Sequence, residues 1–507
     1  MAATRIFMAK CSNDGVRVAC GLLVLASLLY GYSRGGAAGS DALPISGADG
    51  GDAVAPEVRT PDAGAFKPLE PPEKKPRLIV LTDIGGDPDD QQSMVRLMLY
   101  SNEFDIEGLI ASASGTPGEL KEKTTKPELI RQIVSAYGDV RDNLLSHASG
   151  YPPAATLLAG IKSGNSNRGE TAVGAQYDTE GSRWIISVVD REDARLVNIA
   201  IWGGQTDLAQ ALWRVRQDRG LDGLEQFVAK LRVHDIADQD GIAEYILREF
   251  PGLFYILSRA PEGHDKREAV FRGMYLGGDL SLTSRSWIES HVRQGHGPLG
   301  ALYSDKTWTA PNPHSALKEG DTPSWFYFRA FGLSEPQHPE WGGWGGRFER
   351  KGSHFYRDAT DRVGEATSAT ATVWRWRSAF QRDLQARMDW CITSPSHANH
   401  PPTAICNGKS GIELVDIEAH PGQMLALDAT GSEDIDGDKL AYRWWLYVEP
   451  TTFKGDVVIE QADEAEATLR VPEEASGETL HVVLEVTDNG QPPLTSFRRM
   501  IIKVQDK

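Results

Sequence analysis

The feature that most restricts the fold is Arg77-Leu-Ile-Val-Leu-Thr82, an unbroken apolar run that ends abruptly in Asp83-Ile84-Gly85-Gly86-Asp87-Pro88-Asp89-Asp90. A continuous run of β-favouring residues, rather than an alternating one, marks a strand buried on both faces, and such strands belong to parallel sheets covered by helices. The chain keeps that rhythm to about residue 257. Met94, Leu97 and Met98 have helical spacing, residues 106–111 read as a strand, and Leu129, Ile130, Ile133, Val134 and Tyr137 line one face of another helix. Residues 196–202 are strand-like again, with Leu208, Ala211, Leu212 and Val215 on the next helix face, and 231–236, 242–250 and 253–257 continue the alternation. This pattern predicts an α/β fold with a mostly parallel sheet, flanking helices and right-handed crossovers.

The pattern changes near residue 400. Short apolar stretches at 424–428, 440–447, 467–471, 480–486 and 497–504 are separated by Gly, Asp and Pro turns, which predicts a small all-β, Ig-like sandwich over 399–507 behind an α/β domain over 77–398. Residues 40–76 are rich in Gly, Ala, Pro and acids, as in a disordered linker. At the amino end, Arg5, Lys10 and Arg17 precede the apolar residues 18–30 and the small residues 35–39. A basic region, a short apolar core and a small-residue exit read as a secretory signal peptide over 1–39, with an uncleaved anchor as the alternative. The run falls short of the roughly 20 residues of a membrane span. The expected location is therefore secreted or periplasmic, without stable membrane insertion after cleavage.

Loss of the signal would leave Cys391 and Cys406, an even number for an oxidising compartment. They can form a disulfide or stay as two thiols. The 71 acidic and 53 basic residues leave a net charge of −18, which repels phosphate backbones and excludes nucleic-acid polymers as partners through a basic surface. Oligomeric state has no signature here.

Four aspartates in the eight positions from Asp83 to Asp90 follow the first buried strand. In open parallel sheets, ligands bind beyond the carboxyl ends of the strands. Carboxylates crowded there repel one another, and a hard divalent cation with oxygen ligands is the least costly way to keep them ionised. Helix N-terminal preference accounts for one or two of these acids but not for four.

These residues resemble the nucleoside hydrolases, which open with a strand ending in an Asp-rich loop and carry a later Gly-Gly/Pro-x-Thr-Asn-Leu-Ala element. Trp202-Gly-Gly-Gln-Thr-Asp-Leu-Ala209 is similar to the latter. The nearer resemblance is to a secreted subfamily with a carboxyl-terminal β-sandwich, some of whose members are described as cellulose-binding proteins. It extends over His296-Gly-Pro-Leu-Gly300, Glu319-Gly-Asp-Thr-Pro-Ser324 and His338-Pro-Glu-Trp-Gly-Gly-Trp-Gly-Gly-Arg347. The resemblance implies Asp83, Asp90, Asp321 and the backbone carbonyl of Trp202 as calcium ligands. It also implies Asp83 and Asp89 as the catalytic pair, Asp83 as base for the attacking water and Asp89 as partner of a sugar hydroxyl. Asp87, Asp89, Thr116 and Glu180 would face the substrate. The acidic loop is two residues longer than the usual family form, which leaves Asp87 and Asp89 competing for one role. The family often has His immediately before the late Asp, where this chain has Gly320, so an acid for the leaving group is missing there.

Asp235 and Asp238 follow another strand and are candidate ligand contacts, whereas Asp240 reads equally as a helix cap. His234 is more often structural in such a position than a proton donor. Trp341 and Trp344 flank two glycines; they either stack on sugar rings or fill a domain interface. Asp434, Asp436 and Asp438, at alternate positions of one turn, either hold a structural calcium or form a plain acidic turn.

The chemistry is intelligible from the residues. Cleaving an N-glycosidic bond builds positive charge on the sugar, which a carboxylate-lined site stabilises, and calcium positions water and lowers its pKa. The expectation is an exported, calcium-dependent hydrolase of a riboside-like or other N-glycoside. The alternative is a carbohydrate-binding protein, cellulose included, with a degenerate hydrolase pocket. A small glycoside or a polysaccharide is the expected partner.

Overall fold

Strand β1 (Arg77–Thr82) is buried along its whole length and lies inside an eight-stranded sheet. The computed structural model describes residues 66–506 apart from 116–122 and 308–315. The expected signal peptide, most of the linker and Thr116 lie outside the described residues. The other strands are β2 (Asp105–Ala111), β3 (Ile161–Ser163), β4 (Val197–Ile201), β5 (Leu231–Ile236), β6 (Phe254–Ser258), β7 (Phe348–Arg350) and β8 (Phe355–Asp358), in the order β3-β2-β1-β4-β5-β6-β8-β7. All neighbours are parallel except β7 and β8.

Alternate residues of β1 enter opposite cores. Leu78 and Val80 face α1 (Asp89–Leu99) and α2 (Pro127–His147) through Met94, Leu97, Ile130 and Ile133. Ile79 and Leu81 face α3 (Glu180–Val189), α4 (Gln205–Val228) and α5 (Ala243–Glu249) through Ile185, Leu208, Leu212 and Ile246. Burial on both faces is what the continuous apolar run requires. The chain moves outward from β1 to β2 and β3, then returns to place β4 on the other side of β1. The direction of winding thus switches between β1 and β4, and a crevice opens beyond their carboxyl ends. Among the described residues no helix is long and apolar enough to cross a membrane.

Residues 66–76, expected in the linker, run along this body: Leu69 exchanges backbone hydrogen bonds with His147 (2.9 Å) and Ser149 (2.8 Å). The C-terminal region forms two further sheets. One contains Val415–Ala419, Thr495–Val504, Thr479–Thr487 and Ala441–Leu446; the other contains Met424–Asp428, Glu466–Arg470 and Ile459–Glu460. Pairing is antiparallel apart from Val415–Ala419 on Thr495–Val504. Leu427 and Leu469 of one sheet meet Trp444, Val482 and Ile502 of the other in a common core.

The outer face of the larger C-terminal sheet is not free. Tyr447, Val483 and Phe497 join the α/β core beside Trp344, Trp376 and Phe380. The Tyr447 hydroxyl donates to Asp361 (2.7 Å), which also receives Arg347 (2.7 Å) and Arg375 (2.6 Å). Arg499 donates to the carbonyls of Trp341 (2.8 Å) and Gly342 (3.1 Å). Trp344 is buried against Phe326, Phe331, Phe380 and Phe497, and Trp341 stacks on His338 with its other neighbour His481. The two tryptophans therefore build the seam between the α/β and β layers, and Trp344 offers no face to a ligand. The reason is the apolar outer face of that sheet, which needs aromatic cover.

Cys391 and Cys406 are both free, not a disulfide. They are buried in different cores, Cys391 with α2 and the helix Arg377–Trp390, Cys406 inside the sandwich.

Because Trp344 packs into both layers, Trp344→Ala is expected to cost about 3–5 kcal/mol. Urea denaturation checks this, and the α/β and β signals should shift to lower denaturant together.

Candidate active site at the strand ends

Asp83 leaves β1 at the switch point, and Asp89 and Asp90 form the first turn of α1. Across from them β4 ends in Trp202-Gly203-Gly204 before α4. Gly203 has a φ of 144°, and a Cβ there would lie 2.6 Å from the Asp83 carboxyl carbon. Gly204, with a φ of 86°, would place a Cβ 2.4 Å from the Ser112 hydroxyl. The paired glycines are thus what lets the β4 end close on Asp83.

Asp321 is brought in by the polar face of α1. Gln92, Ser93 and Arg96 follow Asp89 at helical spacings of three, four and seven, so they project on one side. The Gln92 side-chain carbonyl accepts the backbone N–H groups of Lys318 (2.7 Å) and Glu319 (3.1 Å), and its amide donates to Ala316 (2.8 Å) and Ser304 (2.7 Å). Thr322 bonds Ser93 (3.0 Å) and Glu319 (3.0 Å). Arg96 ion-pairs Glu319, both fully buried, and donates to the Phe380 carbonyl (3.0 Å). One helix thus carries Asp89 and Asp90 and also grips the loop that bears Asp321.

The result is a three-carboxylate cluster: oxygens of Asp89, Asp90 and Asp321 lie within 4.8 Å of one another. Asp90 accepts a hydrogen bond from the Thr82 hydroxyl. Both Asp321 oxygens are buried without a hydrogen-bond partner. A buried charge left this bare is costly. Burial first, then the neighbouring acids, push Asp90 and Asp321 well above the usual carboxylate range. Burial pushes Asp83 up to about 8 against the opposing charge of Arg168. An all-oxygen donor set with an orphaned carboxylate fits a hard divalent cation.

The protein also supplies two cations of its own. Arg168 holds Asp83 (3.0 Å), Asp240 (3.4 Å) and the Ala113 carbonyl (2.6 Å). Lys318, buried, ion-pairs Asp87 and lies 3.9 Å from Asp89; burial pulls its ammonium down to about 8. The competition between Asp87 and Asp89 is thereby resolved in geometry: Asp87 goes to Lys318 and Asp89 joins the cluster.

Other expected residues have different partners. Asp83 stands beside the cluster but is engaged by Arg168. The Trp202 carbonyl accepts the Gln239 side-chain amide, so one of its lone pairs is already taken. Asp235 is fully buried, bonded to Tyr255 and Gln205, and burial raises it to about 8. Asp238 bonds Arg259 (2.5 Å), Gln205 (2.8 Å) and the Ala243 N–H (2.9 Å). Both acids shape the β5 end rather than joining the three-carboxylate cluster. Glu180 is the first residue of α3, which Thr179 caps, and it bonds the Ser163 N–H (3.2 Å) and Lys162 (3.5 Å), apart from the cluster. His234 is fully buried between the edges of Tyr327 and Phe348, and burial pulls it down to about 3; it is a neutral core residue, not a proton donor. A Cβ on Gly320 would approach the Phe271 ring to 3.1 Å and Asp89 to 3.2 Å, so the place of the missing histidine is already filled.

Arg168, Lys318, Gln205 and Gln239 were not among the expected site residues. Gln205 lies inside the 202–209 element and Lys318 three residues before Asp321, whereas Arg168 reaches Asp83 across 85 residues.

Raised carboxyl pKa values mean that the folded protein keeps protons which the unfolded chain releases above about pH 4. Metal-free stability is therefore expected to fall as pH rises from about 5 to 8. Melting curves check this: added calcium should stabilise more at the alkaline end, and Asp321→Asn should make the metal-free decline shallower.

Residues 77–348 match the family model described as cellulose-binding Sde182, nucleoside hydrolase-like domain, and residues 424–504 match the C-terminal domain of cellulose-binding protein Sde0182. A solved structure from Saccharophagus degradans, described as a nucleoside hydrolase-related hypothetical protein associated with carbohydrate metabolism, is 34% identical with a TM-score of 0.72, over 85% of this chain and 100% of that one. The effector protein XOO4466 aligns at 10% identity over 64% of this chain and 95% of its own (TM-score 0.32), and the PKD domain of KIAA 1837 protein at 23% over 20% and 96% (TM-score 0.15). Neither score supports an argument. No curated protein matches the sequence. The chain therefore belongs to the family described as cellulose-binding Sde182, nucleoside hydrolase-like.

Proposed function

We propose that this protein is an exported, calcium-dependent hydrolase of N-glycosidic bonds. The observation that carries the reading is the buried Asp321 carboxylate, bare on both oxygens and within 4.8 Å of Asp89 and Asp90. Asp89, Asp90 and Asp321 would hold the ion, which supplies a bound water of lowered pKa and an anchor for sugar hydroxyls. Asp83 accepts the proton of the attacking water, its carboxyl made more basic than an ordinary carboxylate by burial. Arg168 keeps Asp83 in place. The surrounding carboxylates stabilise the positive charge that develops on the sugar. Lys318, against Asp87 and near Asp89, is the proton donor to the leaving group that Gly320 cannot be. The basic and apolar amino-terminal pattern supports export.

Turnover of a panel of nucleosides and nitrophenyl ribosides, with and without chelator, tests this reading. Asp90→Asn and Asp321→Asn should lose more than the roughly 100-fold that removing a supporting group costs, with folding retained. Lys318→Met should lose about 100-fold or more on nucleosides and little on nitrophenyl ribosides, whose leaving group needs no proton.

A second reading has its own support. Arg168 engages Asp83, Gln239 engages the Trp202 carbonyl, and the matching family models carry cellulose binding in their descriptions. On that reading the site grips a glycan without cleaving it. Absence of turnover on every substrate, together with saturable retention on insoluble cellulose, selects it over the hydrolase.

A further inference from the structure

The β layer contains a second pair of carboxylates that the strand-end site does not use. Asp434 lies in the turn before Ala441–Leu446, and Asp488 directly follows Thr479–Thr487. In each, one oxygen is saturated and the other is bare. Asp434 Oδ1 accepts the backbone N–H groups of Asp436 (2.9 Å) and Asp438 (3.0 Å), and its Oδ2 is buried without a partner. Asp488 is only 4% exposed; its Oδ1 accepts from Gly490 (3.0 Å), Leu494 (3.0 Å) and the Asn399 amide (3.0 Å), and its Oδ2 is likewise buried and bare.

The two turns are joined, since the Lys439 N–H donates to Asn489 (2.7 Å). They are close enough for charge to act across the gap. Burial pushes the Asp488 carboxyl up to about 6, and Asp434 adds to the push. Among the described residues neither acid has a Lys, Arg or His ion-pair partner. A solvated acidic turn would leave its oxygens to water. Here the bare oxygens are enclosed, and the saturated ones are fixed by backbone donors that hold each carboxylate in one orientation.

We infer that the turns 434–438 and 488–490 together bind one divalent cation of the calcium class. Two fixed carboxylates with a free oxygen each, in an all-oxygen setting, are the donor type that a hard ion takes, with carbonyls and water completing its shell. Asp436 is not part of the donor set, because both of its oxygens are committed to His400 (3.1 and 3.0 Å to Nδ1, 2.8 Å to the backbone N–H).

The site sits where the two layers connect. Asn399 ties Asp488 to the Pro492 carbonyl (2.8 Å), and His400 continues from Asp436 to His147 at the end of α2 (2.9 Å). Both imidazoles stack on Trp390 at 5.2 Å. The cation would therefore fix the connecting residues 399–400 as well as the two turns.

Calcium binding by the full chain, measured by equilibrium dialysis and calorimetry in an Asp321→Asn background, tests the inference separately from the strand-end site. Adding Asp488→Asn should remove one equivalent of calcium, or weaken it at least tenfold, and should abolish the rise in melting temperature that calcium gives the background protein. Asp434→Asn should do the same. Asp416→Asn, at a surface pair with Lys503, should leave both unchanged. Circular dichroism confirms folding of each variant. Unchanged calcium stoichiometry and affinity in folded Asp488→Asn and Asp434→Asn proteins overturns the inference, as does a background protein whose melting temperature ignores calcium.

Discussion

Like charge confined away from water is the constraint around which the α/β half is organised. Asp83, Asp90 and Asp321 are all nearly inaccessible, and taking several carboxylates out of water together is unfavourable unless something positive meets them. The chain answers unevenly. Arg168 meets Asp83 and Lys318 meets Asp87, whereas Asp321 has no hydrogen-bond partner on either oxygen and feels Lys318 and Arg272 only through space. That unevenness gives the site a direction, with a side where resident cations bond the acids directly and a side where the Asp321 oxygens are bare.

The geometry depends on a helix used twice. The first turn of α1 contributes acids, and its next two turns contribute the amide, hydroxyl and guanidinium that anchor residues 316–322. An apolar face of the same helix, through Met94, Leu97 and Met98, packs on the sheet. A loop some 230 residues away is thus positioned by a short, rigid element, which is how a distant carboxylate is held within reach of its partners.

What could be read beforehand followed physical range. The strand at 77–82, the alternation after it, the change near 400 and the strand-end acids are local patterns, and each corresponds to an element or cluster in the structure. Contacts made by long side chains between distant segments left no such trace. Arg168, in an unremarkable loop of Asn and Gly, has no periodicity to betray that it ends beside Asp83, and Gln239 on the Trp202 carbonyl is equally silent. The Trp341–Trp344 motif shows the opposite failure: it had two chemical uses, and the apolar outer face of the C-terminal sheet takes up Trp344, while Trp341 stays half-buried. Cys391 and Cys406 likewise could not be assigned to separate cores from an even count. Residues 66–76 looked like linker because their composition is poor in apolar residues, yet a few backbone hydrogen bonds and the contact of Phe66 with His400 suffice to dock them.

The seam formed by Trp344, Phe497, Tyr447 and Asp361 makes covalent continuity between the halves almost redundant. The connection itself is slender, with Ser394, Ser396 and His397 exposed. A protease that nicked the backbone there would leave two fragments still clasped by buried aromatics and by Arg499, so the nicked species would travel through a sizing column as the intact molecule does and part only under denaturing conditions.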